Sequence, residues 1–242
     1  MKSMVGAVGQ FSTPSFSNDI LIIVGGFGSG KSEVAVNLAW HLAASQSEPV
    51  AIADLDIVNP YFRSREADEQ LQKLSIRSLN PRGGYRHADL PIILPEIKGA
   101  IEQRQGKVIL DVGGDDVGAR ILSSLAGSFV AGTYELLLVL NANRPFTQDV
   151  AGCLKLMAEI EAASRLKFTG LISNTHMLVE TSADTVLTGL NLARQVGERS
   201  GLPVVFVSAA ADVISSIDPD AVRVPVLKLN RMLLKPWERR KA

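Results

Sequence analysis

The feature that most constrains the fold of this chain is one segment of eight residues, Gly25-Gly26-Phe27-Gly28-Ser29-Gly30-Lys31-Ser32. It follows a continuous apolar run at 20–24 and leads directly into a stretch of helical periodicity at 33–44. The segment matches the pattern G-x-x-x-x-G-K-[ST], whose glycines let successive backbone N–H groups wrap a phosphate at the start of a helix. Strand, glycine-rich loop and helix in this order predict a nucleotide-binding unit.

Two side chains of this segment, which we call the phosphate loop, have a predicted chemical role. Lys31 can reach the β- and γ-phosphates of a nucleotide, and the Ser32 hydroxyl can bind Mg²⁺. The other predicted contacts come from the backbone at Gly25, Gly26, Phe27, Gly28, Ser29 and Gly30. A glycine-rich turn without a ligand would leave Lys31 and Ser32 unexplained, so we predict that the loop binds a nucleotide with its metal.

Apolar runs rich in Val, Ile and Leu alternate with helical segments along the rest of the chain. The runs are continuous, which is typical of parallel strands covered on both faces. We therefore predict an α/β fold with a doubly wound, mostly parallel sheet and helices on both faces. Strands are predicted at 20–24, 50–54, 76–79, 108–111, 136–141, 170–174 and 204–208. Helices are predicted at 31–44, 62–74, 90–103, 119–126, 147–163, 182–198 and 220–234.

Length and composition fit one domain of this kind. The 242 residues are 46% hydrophobic, enough for a buried core, and no linker or internal repeat divides them. We expect a flexible leader at 1–18 and a single nucleotide-binding domain at 19–242. The 25 basic and 25 acidic residues cancel, so no overall field recruits nucleic acid. The lone cysteine, Cys153, excludes an internal disulfide and fits a cytoplasmic location.

Two more predicted strands end in carboxylates, at Asp54 with Asp56 and at Asp111. The carboxyl ends of parallel strands line the ligand crevice of an open sheet. We expect Asp54 and Asp111 to lie near Mg²⁺, and Asp56 to orient a water towards the γ-phosphate. The alternative for each acid is a solvated turn or a helix cap.

A glycine turn follows Asp111, and the backbone N–H of Gly114 could meet the γ-phosphate there. This would make 113–119, which we call the switch turn, a segment that distinguishes ATP from ADP. Asp115 and Asp116 in the same turn fit a simple cap of the next helix.

The sequence resembles the MinD/ParA group of P-loop ATPases in the order and spacing of three segments: the phosphate loop, Asp54-Leu55-Asp56 and Asp111-Val112-Gly113-Gly114. This group also includes the nitrogenase iron protein and the CobB/CobQ amidoligases. The resemblance covers roughly 20–213. It implies that Lys31, Asp56 and Asp111 are catalytic, with Asp111 as the Walker B acid. It also implies that Asn174 reads the adenine edge and that the turn at 208–212 encloses the base. Since 174–177 is not N-K-x-D, ATP is favoured over GTP.

The sequence departs from that group at Gly26, where MinD and ParA proteins carry a second lysine that reaches the partner's phosphates. ATP-driven dimerisation is therefore an open question. Cys153 stands alone, so the paired cysteines that hold the metal cluster of the nitrogenase iron protein are missing.

We expect an Mg-ATP-dependent ATPase with a slow intrinsic rate, acting as a nucleotide-dependent switch in protein assembly, maturation or positioning, with a protein partner and with a homodimer as a further expectation. One alternative is a CobB-like ATP-dependent ligase or kinase whose pocket includes 80–87. Another is an ATP-binding regulatory module that does not hydrolyse ATP. The basic segment at 226–241 is expected to dock as a helix rather than to lie on an anionic membrane.

Overall fold

The structure is a computed structural model that describes residues 11–45, 48–56, 68–79 and 95–232. All its strands form one eight-stranded sheet in which every pair is parallel. The strands are β1 (Ile20–Gly25), β2 (Val50–Asp54), β3 (Arg77–Ser78), β4 (Lys107–Gly113), β5 (Tyr134–Leu140), β6 (Gly170–Ser173), β7 (Val204–Ala210) and β8 (Val226–Leu229). Their order across the sheet is β3-β2-β4-β1-β5-β6-β7-β8.

Helices connect these strands and cover both faces of the sheet. They are α1 (Lys31–Ser45), α2 (Asp68–Lys73), α3 (Pro95–Gln103), α4 (Asp116–Leu125), α5 (Val150–Ser164), α6 (Ala183–Ser200), α7 (Ala211–Ile214) and α8 (Pro219–Val222). None of the helices in the described ranges is long and apolar enough to cross a bilayer. The predicted α/β, doubly wound, parallel fold is confirmed.

The central strand β1 shows why the apolar runs are continuous. Ile20, Ile22 and Val24 are buried in a core shared with α4 and α5. The intervening residues, Leu21 and Ile23, are buried in a second core with α1. Because successive side chains of a strand point to opposite faces, a strand between two helical layers must be apolar at every position.

Local capping sets where the helix after β4 begins. The Asp115 side chain accepts hydrogen bonds from the backbone N–H groups of Val117 and Gly118, at 3.0 and 2.9 Å. Asp115 is therefore the N-cap, and α4 starts at Asp116 rather than at the predicted residue 119. The capping role expected for Asp115 is confirmed.

The helix predicted at 220–234 is wrong. The short helix α8 ends at Val222 and is followed by Arg223, which has a left-handed backbone; β8 then pairs in parallel with β7. Val226 and Leu227 are buried while Lys228 is exposed, so the mixture of apolar and basic residues belongs partly to an edge strand. A short apolar run does not by itself distinguish a strand from a buried helix. The rest of the basic segment, 233–241, lies outside the described residues.

Residues 11–18, predicted as part of a leader, lie against the fold. The Ser12 carbonyl accepts a hydrogen bond of 2.8 Å from the Val226 N–H on β8. The rings of Phe16 and Phe206 meet edge to face, with centroids 6.5 Å apart. The Lys107 ammonium, on β4, donates to the Asn18 carbonyl at 3.1 Å. In this structure 11–18 therefore extend the packed core, whereas 1–10 lie outside the described residues.

Candidate functional site

The phosphate loop joins β1 to α1 and is shaped by two glycines with positive φ. Gly28 has φ +74° and Gly30 has φ +84°, conformations that L side chains rarely adopt. A Cβ at Gly30 would also collide with the Asn174 amide. The loop closes with a hydrogen bond of 3.0 Å from the Ser29 N–H to the Gly26 carbonyl. Its tip, Phe27, is exposed.

Lys31, the first residue of α1, forms a buried ion pair with Asp56. Its Nζ lies 2.6 Å from Asp56 Oδ2, and both side chains are about 95% or more buried. Burial acts to lower the pKa of Lys31, but the charges of Asp111, Asp56 and Asp54 together outweigh it and the pKa is raised. Lys31 is therefore a fixed positive charge at the start of the helix.

Asp111, near the carboxyl end of β4 and beside the central strand β1, is fully buried. Neither of its carboxylate oxygens has a hydrogen-bond partner of ordinary geometry among the described residues, although the Ser32 hydroxyl is close enough to favour the charged form. Burial raises the pKa of Asp111 to about 6 against the opposing charge of Lys31. A buried carboxylate that lacks a full set of protein donors and lies near a serine hydroxyl suits a hard cation that takes oxygen ligands.

Strand pairing brings the third predicted acid to the same place. Asp54 is in register with Asp111 across the β2–β4 pair, and its Oδ1 accepts the Asp56 N–H at 3.1 Å. Asp54, Asp56 and Asp111, which we call the acidic cluster, thus meet Lys31 at one edge of the sheet. The described residues contain no group of three or more His, Cys, Asp and Glu side chains placed to hold a metal alone. Mg²⁺ would need phosphate oxygens or water as well.

The switch turn rests directly on the phosphate loop. The Gly114 N–H, predicted to meet the γ-phosphate, donates to the Gly25 carbonyl at 3.1 Å. A Cβ at Gly114 would lie 2.6 Å from the Gly25 carbonyl group, so the two backbones touch. Gly114 would have to leave Gly25 before its N–H could reach a phosphate.

Asn174 follows β6 and is buried against the phosphate loop. Its amide nitrogen donates to the Ser29 carbonyl at 2.8 Å, and its amide oxygen accepts the Ser208 hydroxyl at 2.9 Å. Both ends of the amide therefore hold protein groups. Its contact with a base remains a prediction.

Sequence reasoning missed two side chains that hold the loop from the β5 side. Arg144 Nε donates to the Gly28 carbonyl at 2.8 Å, and the Asn141 amide donates to the same oxygen at 3.3 Å. His176 lies nearby: burial and the charge of Arg144 lower its pKa to about 4. The sequence feature that could have indicated these residues is the polar stretch after the apolar run of β5. Because this stretch is far from the phosphate loop in sequence, the contact could not be predicted from a local pattern.

No family model and no curated protein matches this chain. Solved structures share its fold. FtsY from Mycoplasma mycoides aligns with a TM-score of 0.56 at 17% identity, covering 88% of this chain and 67% of that one. FtsY from Thermotoga maritima gives 0.55 at 17% identity, covering 88% and 69%. The signal recognition particle receptor FtsY from Elizabethkingia anophelis, solved in complex with GDP, gives 0.51 at 17% identity, covering 90% and 63%. The chain therefore has a P-loop NTPase fold.

Proposed function

We propose that this chain is an Mg-ATP-dependent ATPase that works as a nucleotide-dependent switch. The observation that supports this best is the ion pair of Lys31 with the buried Asp56, close to the buried Asp111, at the point where a glycine loop begins a helix. Backbone N–H groups and one ammonium suit a phosphate chain, and the carboxylates suit its metal. Bound Mg²⁺ would neutralise charge on the phosphates, with Ser32, Asp111 and Asp54 as the residues near it.

Exchange of ion-pair partners is the chemical step that we assign to the chain itself. Phosphate oxygens compete with Asp56 for the Lys31 ammonium, which lies 2.6 Å from Asp56 in this structure. Once Lys31 turns to phosphate, the Asp56 carboxylate is released to accept a hydrogen bond from a water and orient it. Lys31 and Asp56 would then act in sequence rather than as a permanent pair.

The contact of Gly114 with Gly25 offers a switch, because it joins the turn after β4 to the phosphate loop. We propose that a γ-phosphate draws the Gly114 N–H away from Gly25 and so moves 113–119. A protein partner would sense that movement. A homodimer is part of the proposal too, although Gly26 supplies no second lysine to join two copies.

ATP is the proposed nucleotide because 174–177 lacks the acid of N-K-x-D. The FtsY from Elizabethkingia anophelis that shares the fold was solved with GDP, so both purines belong in the test. A second candidate function is a regulatory module that binds ATP without turnover, and the glycine at position 26 favours it. A cytoplasmic setting remains a prediction from the sequence.

Calorimetry and phosphate release test the proposal, using Mg²⁺ with ATP, GTP, ADP and GDP. Lys31→Ala should weaken ATP binding about tenfold or more, because a desolvated charge-assisted contact is lost. Asp56→Ala should keep binding but lower turnover about a hundredfold. Lys155→Ala, an exposed lysine on α5, is the matched control. No heat with any of the four nucleotides would contradict the proposal, and binding without turnover would favour the regulatory module.

A further inference from the structure

Along the carboxyl edge of the sheet, the side chains on the two sides of β1 differ in their chemistry. The acidic cluster lies on one side, at the ends of β2 and β4. On the other side, after the ends of β5 and β6, lie two amides, a guanidinium and an imidazole, those of Asn141, Asn174, Arg144 and His176. The phosphate loop runs between the two sides.

This division indicates where the nucleoside of a bound nucleotide would go. The metal is drawn to the acidic cluster, on the β4 side, and the terminal phosphates are drawn to Lys31 and to the metal. The other end of the nucleotide must leave the loop in another direction, and along the carboxyl edge the side opposite the acidic cluster is that of β5 and β6. A base needs hydrogen-bonding groups and a flat surface there.

Arg144 offers such a surface. Its Nε is held by the Gly28 carbonyl at 2.8 Å. A Cβ at Gly28 would lie 2.6 Å from Arg144 Nε and 3.2 Å from both Cδ and Cζ, so the guanidinium lies across Gly28 rather than pointing at it. The terminal nitrogens make no hydrogen bond with described residues, and the side chain is only half-buried. One side of the guanidinium is thus anchored to the loop while another remains accessible.

The His176 ring lies beside the phosphate loop on the same side as Arg144. A Cβ at Gly30 would lie 3.2 Å from His176 Nε2, so the ring stands over the second positive-φ glycine of the loop. Burial and the charge of Arg144 lower its pKa to about 4, which keeps the imidazole neutral near pH 7. A neutral ring beside a planar cation forms a surface suited to an uncharged aromatic base.

We propose that Arg144 is a nucleoside-binding residue, whose guanidinium plane packs against the base of the nucleotide while its Nε stays on the Gly28 carbonyl. The proposal rests on the proposed function, because it assumes that the phosphate loop binds a nucleotide. It adds a second recognition element at the loop, separate from phosphate binding.

The test compares Mg-ATP with Mg-tripolyphosphate, which has the phosphate chain but no nucleoside. Titration calorimetry is run on the wild-type protein, Arg144→Ala, Arg144→Lys and Arg199→Ala. Arg199 is an exposed arginine near the end of α6 and is the matched control. Thermal unfolding of each variant shows that it is folded.

Arg144→Ala should weaken Mg-ATP about tenfold, the size of one desolvated cation–π contact, and leave Mg-tripolyphosphate unchanged within about twofold. Arg144→Lys keeps the charge but loses the plane, so it should also weaken Mg-ATP selectively. Arg199→Ala should change neither ligand.

Equal loss for both ligands in Arg144→Ala would overturn the proposal, because Arg144 would then only brace the loop. Unchanged binding of both ligands would overturn it as well. Failure of the proposed function looks different: the wild-type protein would bind neither Mg-ATP nor Mg-tripolyphosphate, and the nucleoside proposal would fall with it.

Discussion

At the scale of single residues, the acidic cluster is an arrangement that suits ligand binding but lowers the stability of the free protein. Three carboxylates, Asp54, Asp56 and Asp111, surround one ammonium, and Asp111 is fully buried without a hydrogen-bond donor of ordinary geometry among the described residues. Burying a charge without full compensation is costly. Such an arrangement is typical of a site prepared for a ligand rather than for the free protein.

Asp111→Asn should therefore lower activity without lowering the stability of the free protein. Removing one negative charge from the cluster relieves repulsion, so the midpoint of thermal unfolding without nucleotide should stay the same or rise. Mg²⁺-dependent turnover should fall by about tenfold or more, because a carboxylate ligand is lost. Differential scanning fluorimetry and a phosphate-release assay measure the two effects. A variant that unfolds much more easily and keeps its turnover would contradict this prediction.

His176 makes stability depend on pH. Its pKa is lowered to about 4 in the folded protein by burial and by Arg144, against an ordinary value of 6.5. Between these values the unfolded chain binds more protons, so the free energy of unfolding falls as pH drops from 6.5 to 4. This contribution is fully present above pH 6.5.

His176→Asn should remove this titration, so that the free energy of unfolding falls less steeply between pH 6.5 and pH 4. The slope should decrease by up to about 1.4 kcal/mol per pH unit, the value for one proton. Urea unfolding of both proteins at pH 7 and pH 5 measures it. The same loss between the two pH values in wild type and variant would show that His176 does not titrate as the structure indicates.

At the scale of elements, the phosphate loop and the turn after β4 depend on close backbone contact. A Cβ at Gly114 would lie 2.6 Å from the backbone of Gly25, whereas a Cβ at Gly127 would meet nothing within 4 Å. Gly114→Ala should lower the free energy of unfolding by about 1 to 3 kcal/mol through overpacking, and should weaken Mg-ATP binding. Gly127→Ala, the matched control, should change neither. Urea unfolding and calorimetry measure both, and equal behaviour of the two variants would contradict the contact.

The segment before β1 also contributes to the sheet. Phe16 meets the buried Phe206 of β7 edge to face. Phe16→Ala should lower the free energy of unfolding by about 1 to 3 kcal/mol, because a partly buried ring is removed. Phe146→Ala removes an exposed ring and should have little effect. If urea unfolding found Phe16→Ala as stable as the wild type, 11–18 would be the leader that the sequence predicted.

At the scale of the whole molecule, nucleotide binding should stabilise the fold, since the loop connects the central strand to the helix packed on it. At a concentration of Mg-ATP about 100 times the dissociation constant, the free energy of unfolding should rise by about 2.7 kcal/mol. Thermal unfolding with and without Mg-ATP measures the change. Lys31→Ala should lose most of it at the same concentration. A midpoint that Mg-ATP does not move in the wild-type protein would contradict nucleotide binding to the folded state.

Local sequence patterns were enough to predict the phosphate loop, the parallel α/β fold and the end of β2 at Asp54, whereas β4 continues two residues past Asp111 to Gly113. A loop whose glycines permit positive φ, or a strand apolar at every position, has few alternatives. The cap at Asp115 was predicted for the same reason. The functions of these residues remain predictions.

Which distant segments meet at the loop became visible in the folded chain alone. The strand order places β4 on one side of β1 and β5 on the other, and this brings Asp111 and Arg144 to the same loop from opposite directions. It also made an edge strand, β8, from a segment whose apolar and basic residues suited a helix equally well. Strand pairing between distant segments follows from how whole faces pack, and no short stretch of sequence contains that information.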